Sequence, residues 1–140
     1  MQLLPPITIT GAIATPAVGE VVSTGYAPRN LTLQATFTYG SGGTTTDAYV
    51  QTTLDGGLTW MDIANFHFTT SSAAAVINLS AATPQTTQKV PGDGALASNT
   101  AVDGVLGPKF RVKYKSSGTY AGGTLLRIDA QGHDISGNPS

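Results

Sequence analysis

Two histidines, His67 and His133, are the first residues to weigh for acid–base or metal chemistry. Neither belongs to a His-x-His or His-x-x-x-His pair, the spacings that put two imidazoles on one face of a strand or helix. His67 alternates with Phe66 and Phe68, and His133 lies in the polar stretch Gln131-Gly132-His133-Asp134. The carboxylates come next. Asp55, Asp93 and Asp103 each precede a glycine, which favours a turn over a glycosidase pair. Asp93-Gly94 and Asp103-Gly104 bracket a long loop, and loops rich in carbonyls and Asp can bind calcium. No EF-hand or Gly-Asp repeat is present. The absence of cysteine excludes thiol nucleophiles, zinc-thiolate sites and disulfides, and fits synthesis in a reducing cytoplasm. The residue types call for no catalytic site, no metal and no cofactor.

One spacing is specific. Thr53-Leu54-Asp55-Gly56-Gly57-Leu58-Thr59-Trp60 lies between runs that alternate like strands, Ala48–Thr52 and Met61–Phe66. Asp-Gly between such runs signals a hairpin, because both residues tolerate the positive φ of a tight turn. The pattern Thr-x-Asp-x-Gly-x-Thr-Trp resembles the Asp-box, a hairpin motif of sialidases and of many unrelated β-proteins. That resemblance implies that Thr53, Asp55, Gly57 and Thr59 shape the turn, that Asp55 and the Thr side chains bind its backbone, and that Trp60 packs beneath it. A sialidase needs several propeller blades and clustered arginines. One such motif in 140 residues with three arginines does not qualify.

Charge is concentrated in one place. Lys109, Arg111, Lys113 and Lys115 project from one face of one strand, either as a solvated face that discourages edge aggregation or as a contact for an acidic partner. Nucleic acid is not favoured, since no aromatic side chain interleaves on that face and the net charge is -1.

The elements that must position these residues read as strands. Leu31, Leu33, Ala35, Phe37 and Tyr39 share one face of the cleanest period-two run, with Thr32, Gln34, Thr36 and Thr38 on the other. One dry face and one wet face indicate an antiparallel sheet. Further strands are expected at Ile7–Gly11, Val18–Thr24, Ala74–Leu79, Lys109–Lys115 and Thr124–Ala130. Gly40–Gly43 reads as a flexible tip. Residues 81–108 form a long loop with at most a short strand near Gln88–Val90, and Ala73–Ala82 is the one helical temptation. The expectation is an all-β chain: a single antiparallel β-sandwich over residues 1–140, jelly-roll-like or immunoglobulin-like, of seven to eight short strands. Its core should contain Leu33, Phe37, Val50, Ile63, Val112, Tyr114 and Ile128.

Only 11% of residues are charged, against roughly 25% in an average soluble protein. Thr and Ser take the polar positions. Such a surface is either a stable hydroxyl coat or one covered by neighbours in an assembly. No secretory signal and no run long enough to span a bilayer is seen. Leu3, Leu4, Pro5 and Pro6 read as part of an extended N-terminal arm over residues 1–7, stiffened by the proline pair and suited to lie on a partner. A structureless loop as long as 81–108 is uncommon in a compact domain unless it is functional.

Three stretches carry a family resemblance: Val50 through Trp60; Gly94-Ala95-Leu96 through Val102-Asp103-Gly104; and Phe110-Arg111-Val112-Lys113-Tyr114 leading into Gly118–Thr124. The chain resembles the small β-sandwich structural proteins of tailed bacteriophages, especially head-decoration or cement proteins. The resemblance is one of style over most of the chain, without a diagnostic motif. It implies a non-enzymatic virion protein that binds the major capsid protein or another virion protein, often as a homotrimer, with neither nucleic acid nor membrane as partner. It would be made in the host cytoplasm and leave by lysis. Two rivals stand beside it. A tail or baseplate component shares nearly every feature, and a carbohydrate-binding receptor module would use Tyr39, Tyr49, Trp60 or Tyr120 near loop tips.

Overall fold

The computed structural model describes residues 1–133. Its strands are β1 (Gln2–Thr8), β2 (Ala17–Val18), β3 (Val22–Ser23), β4 (Asn30–Thr38), β5 (Ser41–Gly42), β6 (Thr45–Thr53), β7 (Met61–Phe68), β8 (Ala73–Ser80), β9 (Lys109–Ser117), β10 (Tyr120–Ala121) and β11 (Leu125–His133). Every pairing is antiparallel, and no helix occurs among the described residues. The fold is all-β. Seven of the strands have seven to nine residues and four have two, so the count exceeds the seven to eight expected.

One sheet has the order β1-β11-β4-β8. A second has the order β2-β9-β6-β7 with β3 also on β9, and β5 pairs with β10 apart from both. In β4 the period-two pattern becomes alternating burial: Leu31, Leu33, Ala35 and Phe37 are buried and face Leu126, Ile128 and Ala130 of β11. Phe110 and Val112 of β9, with Ala48 and Val50 of β6, line the dry face of the second sheet. All these residues belong to one core cluster. Phe37 of the first sheet stacks on Phe68 of the second, with centroids 5.0 Å apart and planes at 3°. The Tyr120 ring meets Phe37 edge-on and donates its hydroxyl to Thr69 O at 2.8 Å, so its one polar atom is satisfied inside the core. Of the expected core residues, Tyr114 is an exception, half-buried against the cluster.

The structure corrects three local expectations. Residues 1–7 are not a free arm: Leu3 and Leu4 are 1% and 2% exposed, and β1 pairs with β11 from Gln2 to Thr8. Pro5 and Pro6 are exposed on this edge strand, where the register shifts twice, so their missing N–H groups interrupt little of the ladder. Gly40–Gly43 is not a flexible tip, because Gly43 (φ +71) lies against the Tyr120 ring and an added Cβ would come within 2.3 Å of it. The strand expected at Ala74–Leu79 is present as Ala73–Ser80, with eight consecutive pairs to β4 that override the helical preference of its alanines. His133 ends β11 instead of lying in a loose polar tail; its side chain, and Asp134, lie outside the described residues.

Candidate functional site

Alternation on β9, β6 and β7 sends every second side chain to the outer face of the second sheet, and the register aligns them in rows. Lys115, Asp47 and His67 form one row, Lys113, Tyr49 and Asn65 the next, and Arg111, Gln51 and Asp62 the third. Directly opposed side chains in such rows have Cβ atoms about 4.5–5.5 Å apart, close enough to bond. The third row depends on an irregularity. Val50 pairs with Ala64 but Gln51 with Asp62, so the register skips Ile63, leaving Ile63 in the core and returning Asp62 to the outer face.

This polar face is largely buried, because the segment 91–102 lies along it. Asp62 N donates to Gly92 O, Asn65 N to Thr100 O, and Val102 N to Ile63 O, a ragged extra edge with one bridge at Ala101. The Asp62 carboxylate accepts the N–H groups of Gly94, Ala95 and Leu96 at 2.8–3.1 Å, and Gln51 Nε2 at 2.8 Å. Successive backbone donors turned on one carboxylate make an anion nest. Asn65 Oδ1 accepts from Asn99 N, and Asn99 Oδ1 accepts from His67 N. Asn99 adopts φ 57, a left-handed conformation that Asn tolerates.

Three of the four basic residues of the stripe meet partners within the chain. Arg111 Nε donates to Gln51 Oε1 at 2.7 Å and its guanidinium covers the Trp60 ring. Lys113 Nζ reaches Asp93 Oδ1 at 3.0 Å, and Lys115 Nζ lies 5.7 Å from the centre of the Tyr49 ring. Lys109 has no side-chain partner among the described residues. The Gln51 amide foremost, then Lys113 and Arg111, holds the Asp93 carboxyl below its ordinary pKa. His67 Nδ1 lies 2.8 Å from Asp47 Oδ1, which orients the imidazole.

At the β6–β7 hairpin, Thr53 Oγ1 accepts from Gly57 N at 3.0 Å and donates to Asp55 Oδ1 at 2.9 Å, which also accepts from Thr59 N at 2.8 Å. The Thr59 N–H and then the Thr53 hydroxyl lower the Asp55 pKa from 3.8 to about 2. Trp60 is half-buried, less covered than the motif implies, with its face taken by Arg111. Asp103 binds Ser80 N and the Thr83 hydroxyl, which lower its pKa in that order of weight. Asp93 and Asp103 are thus committed to separate contacts, and no group of three acidic, His or Cys side chains suited to a metal occurs among the described residues.

The structure brings Arg111, Lys113 and Trp60 into one network and leaves Leu3 and Leu4 on the other sheet, in the core. Sequence reading missed Gln51, Asp62 and Asn65; their alternation with buried apolar residues was the available signal. Of the aromatics near loop tips, Tyr120 and Tyr49 are buried, whereas Trp60 and Tyr39 are half-buried, Tyr39 donating its hydroxyl to Gly42 O. What the hairpin end does display is apolar. Leu58 is 89% exposed, Leu54 69% and Val90 93%. Leu54, Met61 and Pro91 line an open groove of about 290 Å³ there.

No known protein family, curated protein or solved structure matches the chain.

Proposed function

We propose that the chain is a non-enzymatic structural protein of a virion, a capsid-decoration or cement protein that binds the outer capsid surface and stabilises contacts between capsomers. Its architecture on this reading is an antiparallel β-sandwich, jelly-roll-like or immunoglobulin-like, supported by the Phe37–Phe68 stack between sheets and by the shared core. The partner is the major capsid protein or another virion protein, and the protein reaches the particle from the host cytoplasm. The resemblance drawn from the sequence motivates the class.

One observation carries the choice of a protein partner: the apolar hairpin end of Leu54, Leu58 and Val90. The charged side chains of the second sheet are mostly engaged with one another, whereas this end exposes large aliphatic groups beside an open groove. Burying them against a partner is favourable by roughly 25 cal/mol per Å² of apolar surface before the costs of association. Symmetry in a capsid repeats such a contact, so a modest interface holds by avidity.

Co-sedimentation with heads and with tails purified separately from the source virus tests the reading. Saturable binding to heads, abolished by the double substitution Leu54→Asp and Leu58→Asp, is expected. Binding to tails alone transfers the protein to the tail or baseplate. Binding to neither overturns the proposal.

A further inference from the structure

The sheet edges of this chain are treated unequally. The β7 edge is covered by residues 91–102. The β1 edge carries Pro5, Pro6 and two register shifts. The opposite margin of the second sheet is broken into β2 and β3, two residues each, with Gly19, Glu20 and Val21 between them. Prolines, irregular register, short strands and covering loops are the devices that prevent edge-to-edge pairing.

β8 has none of them. It is the outer strand of its sheet, pairs with β4 over eight residues without a bulge, and contains no proline and no charge. No charged side chain occurs anywhere between His67 and Lys89. Both ends of the strand are anchored: Ser72 Oγ accepts from Tyr39 N, and Ser80 bonds Asp103 and Gly104 N. From Ala73 to Leu79, among the described residues, no backbone bond reaches beyond β4. Ala73, Ala74, Val76 and Asn78 are exposed, Val76 at 64%.

We infer that β8 is a self-association edge whose occupant is β8 of a second copy of this chain. A rigid, regular row of backbone donors and acceptors is completed by an antiparallel strand, and an identical strand supplies the matching row. Charge selects the copy as occupant. Two copies of a charged edge oppose each other, but this one brings no charge against its own image. With the two-fold axis at Val76, Val76 faces its counterpart, Ala75 faces Ile77 and Ala74 faces Asn78. The two four-stranded sheets then run on as one. An antiparallel pair of identical strands is isologous and closes as a dimer, so a three-fold grouping has to use other surface.

The inference stands apart from the capsid reading, and its principal test needs no virus. Light scattering on the full chain should show a concentration-dependent dimer, lost in Val76→Lys with no change in the circular dichroism of the monomer. The chain has no native cysteine, so Val76→Cys supplies a clean probe. Under mild oxidation it should give a disulfide-linked dimer at a rate that exceeds Leu58→Cys at least tenfold, since paired strands bring the two Cα atoms within bridging distance. A chain that stays monomeric up to its solubility limit overturns the inference. So does an oligomer insensitive to Val76→Lys, or equal cross-linking at positions 76 and 58. A monomer whose binding to virion particles is blocked by Val76→Lys assigns the edge to a different strand, and equally overturns the copy as occupant.

Discussion

The guanidinium of Arg111 lies 4.5 Å from the centre of the Trp60 ring while its Nε donates to Gln51 Oε1 at 2.7 Å. One planar cation thereby ties the base of the β6–β7 hairpin to the middle of the polar face. A flat group can stack and direct a hydrogen bond at once, which a lysine ammonium cannot. Arg111→Lys should lower stability by about 0.5–2 kcal/mol, the range for a partly desolvated cation–π contact. Trp60 is the only tryptophan, so its emission should shift to the red in the same variant. An unchanged spectrum and melting temperature would show the stack to be incidental.

Asp62 is the pin of the segment 91–102. Asp62→Asn keeps the size but turns an amide donor toward the N–H groups of Gly94, Ala95 and Leu96. The expected cost is about 1.5–3 kcal/mol, as for hydrogen bonds to a charged group. Limited proteolysis should show cleavage between residues 91 and 102 before the rest of the chain is cut. Uniform susceptibility would place the anchor elsewhere.

Acid should act through the turn carboxylates. The Asp55 pKa falls from 3.8 to about 2 in the folded chain, so the unfolded chain takes up its proton first as pH drops. The stability this group contributes is present in full above about pH 4 and is lost as pH falls toward 2. Asp93 and Asp103, also lowered, add with the same sign. Melting temperatures between pH 5 and 2 should decline less steeply in Asp55→Asn than in the parent. Parallel curves would remove Asp55 from the acid response.

Leu4 makes the opposite prediction to that of a detachable arm. Leu4→Ala should cost about 2–5 kcal/mol, the range for a buried leucine in a packed core, and deletion of residues 1–6 should cost more because Leu3 goes with it. Denaturant titration measures both. Truncation that leaves the midpoint in place would return this segment to the surface.

How much of this was legible depended on how far apart the interacting residues lie. β4 could be read directly, since Leu31, Leu33, Ala35 and Phe37 alternate with Thr and Gln and the pleat turns that pattern into burial. The Thr53–Trp60 turn could be read because its bonds span two to four residues. Leu3 and Leu4 could not, because the proline pair beside them reads as a strand breaker and only the edge position of β1 makes it tolerable. Gln51, Asp62 and Asn65 look like wet-face residues until the segment 91–102 covers them. Nothing local announces that cover. Ser41–Gly42 and Tyr120–Ala121 form strands of two residues each, far below the length at which period is visible.

The position of β11 in its sheet sets an order of events during synthesis. It lies between β1 and β4, pairing Gln2 with Asp129 and Leu33 with Ala130. β1 has no neighbour in its sheet until β11 emerges, and until then β4 is bonded to β8 alone. The first sheet is therefore completed only when β11 joins β1 to β4. Pairings this distant along the chain form slowly, on a scale of about milliseconds to seconds for β-rich domains. The unguarded β8 is present throughout that interval, before the sheet that steadies it is complete.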